Sequence, residues 1–181
     1  MKNKSKVRWI TQTAIFIALL IVLQMVTAPL GNTLITGSIV NMLLIVSVMS
    51  CGPSSSLAVA VISPVVAKFL GIGPLWMLIP FIALGNIILV LVWHFIGNRK
   101  IVNKYVSYVI ALIAAAGAKF AVLYFGIVKI AVPLILGLPE PQAGVISGLF
   151  SVPQLITASI GGVLAILIFP TLKKAVNRKQ S

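Results

Sequence analysis

Apolar residues in this chain fall into long runs separated by short connectors rich in proline, glycine and asparagine. The first run covers residues 9–28 and is followed by Pro29, Gly31 and Asn32, which is loop punctuation. The second, 35–51, is shorter and interrupted by Gly37, Ser38 and Asn41; after Gly52-Pro53 comes the third, 54–70. A Gly-Pro step between two apolar runs predicts a tight turn and a helical hairpin. The fourth run, 75–96, contains Pro80 and ends at Gly97, Asn98, Arg99 and Lys100. The fifth, 105–136, exceeds one straight span, so Pro133 is expected to mark its exit into the loop after Gly137. The sixth, 145–172, has Pro153 early and Pro170 late. The pattern predicts six helices near 9–28, 35–51, 54–70, 75–96, 105–133 and 145–172, forming a single integral membrane domain over residues 1–181.

Composition decides the solvent. Of the 181 residues 60% are hydrophobic and 8% charged, with a mean hydropathy of +1.18, whereas a soluble domain carries roughly 25% charged residues. So little polar surface cannot coat a globule, which leaves lipid as the surroundings of most side chains. The expected fold class is an all-α membrane protein, a bundle of six transmembrane helices. A cleaved signal peptide does not fit the first run, which is longer than the ~7–15 residues of a signal core and is followed by further spans.

The net charge of +13, from 14 Lys and Arg against one acid, Glu140, suggests nucleic acid until position is considered. The cations gather at Lys2, Lys4, Lys6 and Arg8, at Arg99, Lys100 and Lys104, and at Lys173, Lys174, Arg178 and Lys179, each group abutting an apolar run. Orientation signals and headgroup contacts look like this, so no nucleic-acid partner is expected. With both termini cytoplasmic, eleven of the fourteen basic residues lie inside, and the outer loops 29–34, 71–74 and 137–144 carry none. The positive-inside rule therefore supports six spans and this orientation. A multi-pass protein of the cell membrane, of the bacterial plasma-membrane kind, is expected.

Little is available for catalysis. One His, one Cys and one acid cannot build a carboxylate pair, a clustered metal site or a Ser-His-Asp triad. No enzymatic activity, cofactor or metal is expected, and Cys51 alone forms no intrachain disulfide. The sharpest feature is Lys119, in an alanine-rich stretch of the fifth run. It lies ~22 Å along the helix from Lys104 and ~21 Å from Pro133, near mid-span. A mid-span Lys costs ~2.5–3.5 kcal/mol on insertion scales, which calls for a partner or a wet cavity. Asn86, ~18 Å inward from Pro74, and Gln154, ~14 Å inward from residue 145, reach comparable depth. The three would share a cavity if the fourth, fifth and sixth helices face one another. Trp9 and Trp93 are expected as interface anchors, as is Trp76 at the start of the fourth run; His94 is expected as a satisfied interfacial residue, and Lys68 and Lys129 as reaching toward headgroups. Ala14 and Ala18 place two small residues on one helical face, a pattern that admits a second helix closely.

The whole-chain plan of about 180 residues, six spans, basic tails and the Ala14-x-x-x-Ala18 pair resembles the substrate-binding S component of energy-coupling factor (ECF) transporters. The resemblance implies that the first three helices face a transmembrane scaffold subunit, with Ala14 and Ala18 at the contact. It implies too that the last three helices and the outer loops enclose a vitamin or related micronutrient, with 29–34 as an outer gate. Asn86, Lys119 and Gln154 would then bind substrate, Lys119 favouring an anionic group. No G-x-x-x-x-G-K-[ST] loop is present, so two separate ATPase subunits would supply the energy. Two other classes stay open at this point: a structural membrane subunit that binds no solute, and a small self-sufficient transporter or channel.

Overall fold

The computed structural model describes residues 2–99 and 103–178, with side chains placed for 6–99 and 103–174. Of the basic residues named above, Lys2, Lys4, Lys100, Arg178 and Lys179 lie outside the described side chains. Among the described residues the chain is helical and contains no strand. The helices are α1 (Lys2–Thr27), α2 (Thr33–Cys51), α3 (Pro53–Phe69), α4 (Ile79–Gly97), α5 (Lys104–Leu123, continued as a π-helical stretch over Tyr124–Leu136), α6 (Glu140–Leu149) and α7 (Val152–Arg178).

Local chemistry sets these boundaries. The Asn32 side chain accepts the N–H groups of Leu34 and Ile35 and caps α2; Asn103 accepts that of Val106 and caps α5. Each supplies an acceptor to first-turn donors that have no intrahelical partner. The α2–α3 turn is a single residue, Gly52, at φ 80°, followed by Pro53 in the first turn of α3. Five segments are long and apolar enough to cross a membrane: Lys6–Leu30, Thr33–Cys51, Trp76–Gly97, Lys104–Leu136 and Glu140–Lys174. Pro53–Phe69 is the shorter apolar helix of the predicted hairpin.

Two boundaries differ from those the sequence predicts. The fifth helix does not end at Pro133 but runs on to Leu136, and Gly137 follows in the left-handed region at φ 54°. Proline clashes with the carbonyl four residues back in an α-helix, and the wider π register relieves that clash. The sixth run is not one helix, because it breaks at Phe150 and Ser151 into α6 and α7. Pro153 has no N–H to offer the Leu149 carbonyl, and the Gln154 side-chain Nε2 donates to that oxygen instead, at 3.0 Å. Ser151 Oγ donates to the Gly148 carbonyl at 2.9 Å, satisfying a second α6 terminus group.

Packing joins α2 to α7 and α4 to α5 most intimately. The first pair runs parallel, with residues 37, 41 and 45 of α2 facing 157, 161 and 162 of α7; the second runs antiparallel, with 85 facing 123 and 97 facing 111. The main core contains Leu20, Leu44, Leu89, Val90 and Trp93, and a smaller one joins Leu78, Leu123, Ile127 and Phe150. Trp93 thus departs from its expected role as an interface anchor: it is 2% exposed and stacks on Tyr108 at a centroid distance of 6.2 Å. Seven residues beyond Asn86, it shares that residue's inward face. Trp9 and Trp76 are exposed at the surface, the latter edge-on to Phe69 at 4.8 Å.

At Gly161 α7 meets the backbone of α2. A Cβ there would lie 2.6 Å from the Ser38 carbonyl oxygen, 2.7 Å from Asn41 Cβ and 2.8 Å from the Met42 backbone nitrogen. Gly161→Ala is therefore expected to push α7 off α2 and to cost about 1–3 kcal/mol, the usual penalty of overpacking. Gly144→Ala, where an added Cβ meets nothing within 4 Å, is the control. Thermal unfolding of the two purified variants in one detergent checks this, the first losing several degrees of Tm and the second little.

Candidate functional site

Lys119 projects from the inner face of α5, is 4% exposed and ends between two asparagines. Its Nζ donates to Asn41 Oδ1 on α2 at 2.6 Å and to Asn86 Oδ1 on α4 at 2.7 Å. Both asparagines are buried, at 1% and 2% exposure. Their amide nitrogens are used in turn: Asn41 Nδ2 donates to Thr157 Oγ1 on α7 at 3.3 Å, and Asn86 Nδ2 donates to the Ala60 carbonyl on α3 at 3.4 Å. Thr157 Oγ1 donates to the Gln154 carbonyl at 3.2 Å. One ammonium therefore ties together α2, α4 and α5 directly, and α3 and α7 at one remove.

The amide orientations follow from this network. An ammonium has donors only, so each asparagine must turn its carbonyl oxygen to Lys119 and its NH2 away. An ammonium also has three donors, and two acceptors are accounted for among the described residues. No carboxylate is at hand: Glu140, the chain's single acid, is exposed in the first turn of α6. Desolvating an ammonium costs several kcal/mol, and two amide dipoles offset part of that without neutralising the charge.

Beside Lys119 lies a cavity of about 190 Å³. Its wall carries Asn41, Asn86, Lys119 and Gln154, with Gln24 of α1, Thr36 of α2 and Ser63 of α3 adding polar groups. Val40, Ile79, Ile82, Leu123 and Phe150 make much of the rest apolar, and Ile72, Gly73 and Pro74 carry the lining up to the α3–α4 loop. The cavity thus sits toward the bundle end that holds this loop and the α6–α7 break. A few polar groups converging on a mostly apolar hollow is the usual build of a small-molecule site.

The structure brings Asn86, Lys119 and Gln154 to this one cavity. Gln154 touches neither of the others directly but joins their network through its carbonyl. The helix set is wider than the fourth, fifth and sixth runs, since α1, α2 and α3 also line it. Sequence reasoning passed over Asn41 as an interruption of its run, and passed over Gln24, Ser63 and Thr157 altogether. The available signal was a polar amide inside an apolar helix, but which face it occupied depended on the α2–α7 packing. Ala14 and Ala18 are not among the cavity's lining residues and are exposed on α1. His94 bonds Asn98 through Nδ1 at 2.8 Å, and Lys129 lies exposed with its Nζ 5.5 Å from the Tyr124 ring centroid. Among the described residues no group of three or more His, Cys, Asp or Glu could hold a metal ion.

Comparison with protein families finds one whose model, described as ECF transporter, substrate-specific component, matches residues 8–173, most of the chain. Comparison with curated proteins and with solved structures finds no match.

The network makes a stability prediction independent of any ligand. Asn41→Leu removes one acceptor from a buried charge and is expected to cost about 2–3 kcal/mol. Adding Lys119→Met removes the charge that lost its partner, so the double variant should be less destabilised than the sum of the two single variants, with a coupling of about 1–2 kcal/mol. Additive losses in a thermal-unfolding cycle would mean that the 2.6 Å bond contributes nothing specific.

Proposed function

Since this chain belongs to the family of ECF transporter substrate-specific components, we propose that it captures a small anionic micronutrient beside Lys119 and delivers it inward with a separate scaffold and two ATPase subunits. Membership makes it a membrane-embedded transport subunit with substrate specificity. The anionic preference is our reading of the site.

One observation carries that reading: a buried ammonium with two neutral acceptors, no carboxylate partner and a cavity alongside. A carboxylate entering the cavity would take the remaining donor in a charge-assisted bond and bring the counter-charge the chain lacks. Asn86 and Gln154 keep part of their amide hydrogen-bonding capacity, and would fix the solute's orientation from the same wall. The volume of about 190 Å³ lies below the ~300–1,000 Å³ of drug-sized ligand pockets. An acid the size of nicotinate or pantothenate suits that space better than a flavin or a cobalamin. If the termini are cytoplasmic, as the positive-inside rule suggests, the cavity end of the bundle faces outward, and we assign loop 29–34, between the cavity-lining Gln24 and Thr36, as its gate.

Delivery requires partners, and α1 is the element suited to them. Ala14 and Ala18 are exposed one turn apart, flanked on the same helix by exposed Ile10, Ile15 and Val22. In lipid, helices associate through close packing, and small residues allow it. We place the scaffold contact on this face.

The Asn41–Lys119–Asn86 bonds also fit a second reading, in which the lysine only clasps the bundle and no solute binds. Mass spectrometry of small molecules released from the detergent-purified protein separates the two, since a clasp releases none. Lys119→Gln is then expected to weaken binding of the released acid by about ten- to a hundredfold, the worth of one hydrogen bond to a charged group. Equal affinity in parent and variant would remove Lys119 from the site. In a separate test, Ala14→Leu with Ala18→Leu should abolish co-purification of the scaffold subunit while leaving solute retention intact. A complex that survives both bulky side chains would rule out this face.

A further inference from the structure

At the opposite end of the bundle, between the start of α5 and the last third of α7, the structure holds two adjoining recesses that the solute site does not use. The first, of about 300 Å³, is lined by Lys104, Tyr105, Ile166, Phe169, Lys173 and Lys174 among others. The second, of about 250 Å³, shares Lys104, Tyr108, Phe169 and Lys173 with it and adds Arg99 and Asn98. Together they form a groove with cations at its rim and apolar side chains toward its depth.

The sequence builds this groove on helical spacing. Ile166, Phe169 and Lys173 recur three to four residues apart and so share one face of α7, with Lys174 next to Lys173 at the edge of that face. Lys104 and Tyr108 do the same on α5, where Lys104 Nζ lies 5.6 Å from the Tyr108 ring centroid. Tyr108 is itself fixed from behind by stacking on buried Trp93. Lys104, Lys173, Lys174 and Arg99 are exposed, and the chain's one acid lies elsewhere, in the first turn of α6. Four cations therefore converge without a counter-charge from the chain.

We propose that this groove is a binding site for an anionic phospholipid, with the phosphate among Lys104, Lys173 and Lys174 and an acyl chain along Ile166 and Phe169. Charge complementarity selects an anion. The apolar floor beneath the cations, on helices that cross a membrane, selects one attached to a hydrocarbon chain rather than a free ion. Basic pockets between spans at a membrane surface hold acidic headgroups in this way. The site differs from general attraction to an acidic surface in having walls: the aromatic and aliphatic residues make the lipid's position specific.

Native mass spectrometry of the full chain, delipidated in detergent and titrated with phosphatidylglycerol, tests this. Lys104→Gln with Lys173→Gln should weaken retention by about twentyfold or more, at about fivefold per cation. Removing two cations elsewhere at the same end, by Lys6→Gln with Arg8→Gln, should leave it within about twofold. Ile166→Trp keeps every charge but fills the groove, and should also lower retention, which separates a built site from diffuse charge. Phosphatidylcholine should bind at least tenfold more weakly, and millimolar inorganic phosphate should not displace the lipid. Equal losses in both double variants, equal retention of the two lipids, or displacement by phosphate alone would overturn the proposal. Unchanged lipid retention in Lys104→Gln with Lys173→Gln would overturn it as well, and would turn attention to an acidic protein partner.

Discussion

A lysine ammonium buried without a carboxylate sets the terms on which this bundle is arranged. Left alone, such a group would cost several kcal/mol of lost hydration. Here two asparagine carbonyls, at 2.6 and 2.7 Å, replace part of the water shell. Because those carbonyls belong to α2 and α4 while the lysine belongs to α5, the charge can be solvated only when the three helices are in register. Formation of the site and correct packing of the bundle are therefore one event. Two of the three Nζ donors are used in this way, and the chain's single acid, Glu140, lies exposed on α6 rather than beside them.

That register is possible because the helices come unusually close. Bringing Asn41 within reach of both Lys119 and Thr157 needs α2 and α7 almost in backbone contact, and Gly161 and Gly37 occupy that contact. In lipid no hydrophobic effect drives apolar helices together, so direct packing and interhelical hydrogen bonds carry the association. Both operate at the same level of the bundle here. The α6–α7 break contributes in another way. Pro153 leaves the Leu149 carbonyl free, Gln154 turns its amide to it, and the turn buries Phe150 in the cavity wall. A backbone discontinuity inside an apolar segment is tolerated where protein or a cavity, and not lipid, surrounds it.

What could be read in the sequence, and what could not, divides along a physical line. Run lengths follow from bilayer thickness and helix rise, so the helical class and the rough limits of the spans were legible. Lys119 was legible because a mid-span cation is costly wherever it points. Asn86 and Gln154 were assigned to its neighbourhood by depth alone, and the structure brings them to the same cavity. Depth gives no azimuth, however. Asn41 lies in a run whose partner helix was unknown, and Trp93 was given an interface position although its seven-residue spacing from Asn86 already turned it inward. The π-helical continuation through Pro133 depends on hydrogen-bond register, which hydropathy does not encode.

The charge distribution has a logic that the total of +13 conceals. One cation lies deep among apolar helices, where salt screens little and geometry fixes its partners. Exposed cations at the far end lie within a Debye length of bulk ions, so each contributes modestly and only a cluster acts specifically. A group placed beside the buried lysine would therefore be held by geometry, whereas the exposed cations act only as a cluster and are sensitive to salt. Between them runs α1, which presents Ala14 and Ala18 to the outside and sends Gln24 into the cavity wall. A partner docked on that helix and a solute held beside Lys119 would act on the same rigid element from opposite sides. Any change that docking makes in solute affinity must then be matched, by linkage, by an equal change that the solute makes in docking affinity. A transport subunit needs that reciprocity to release inward what it has bound outside.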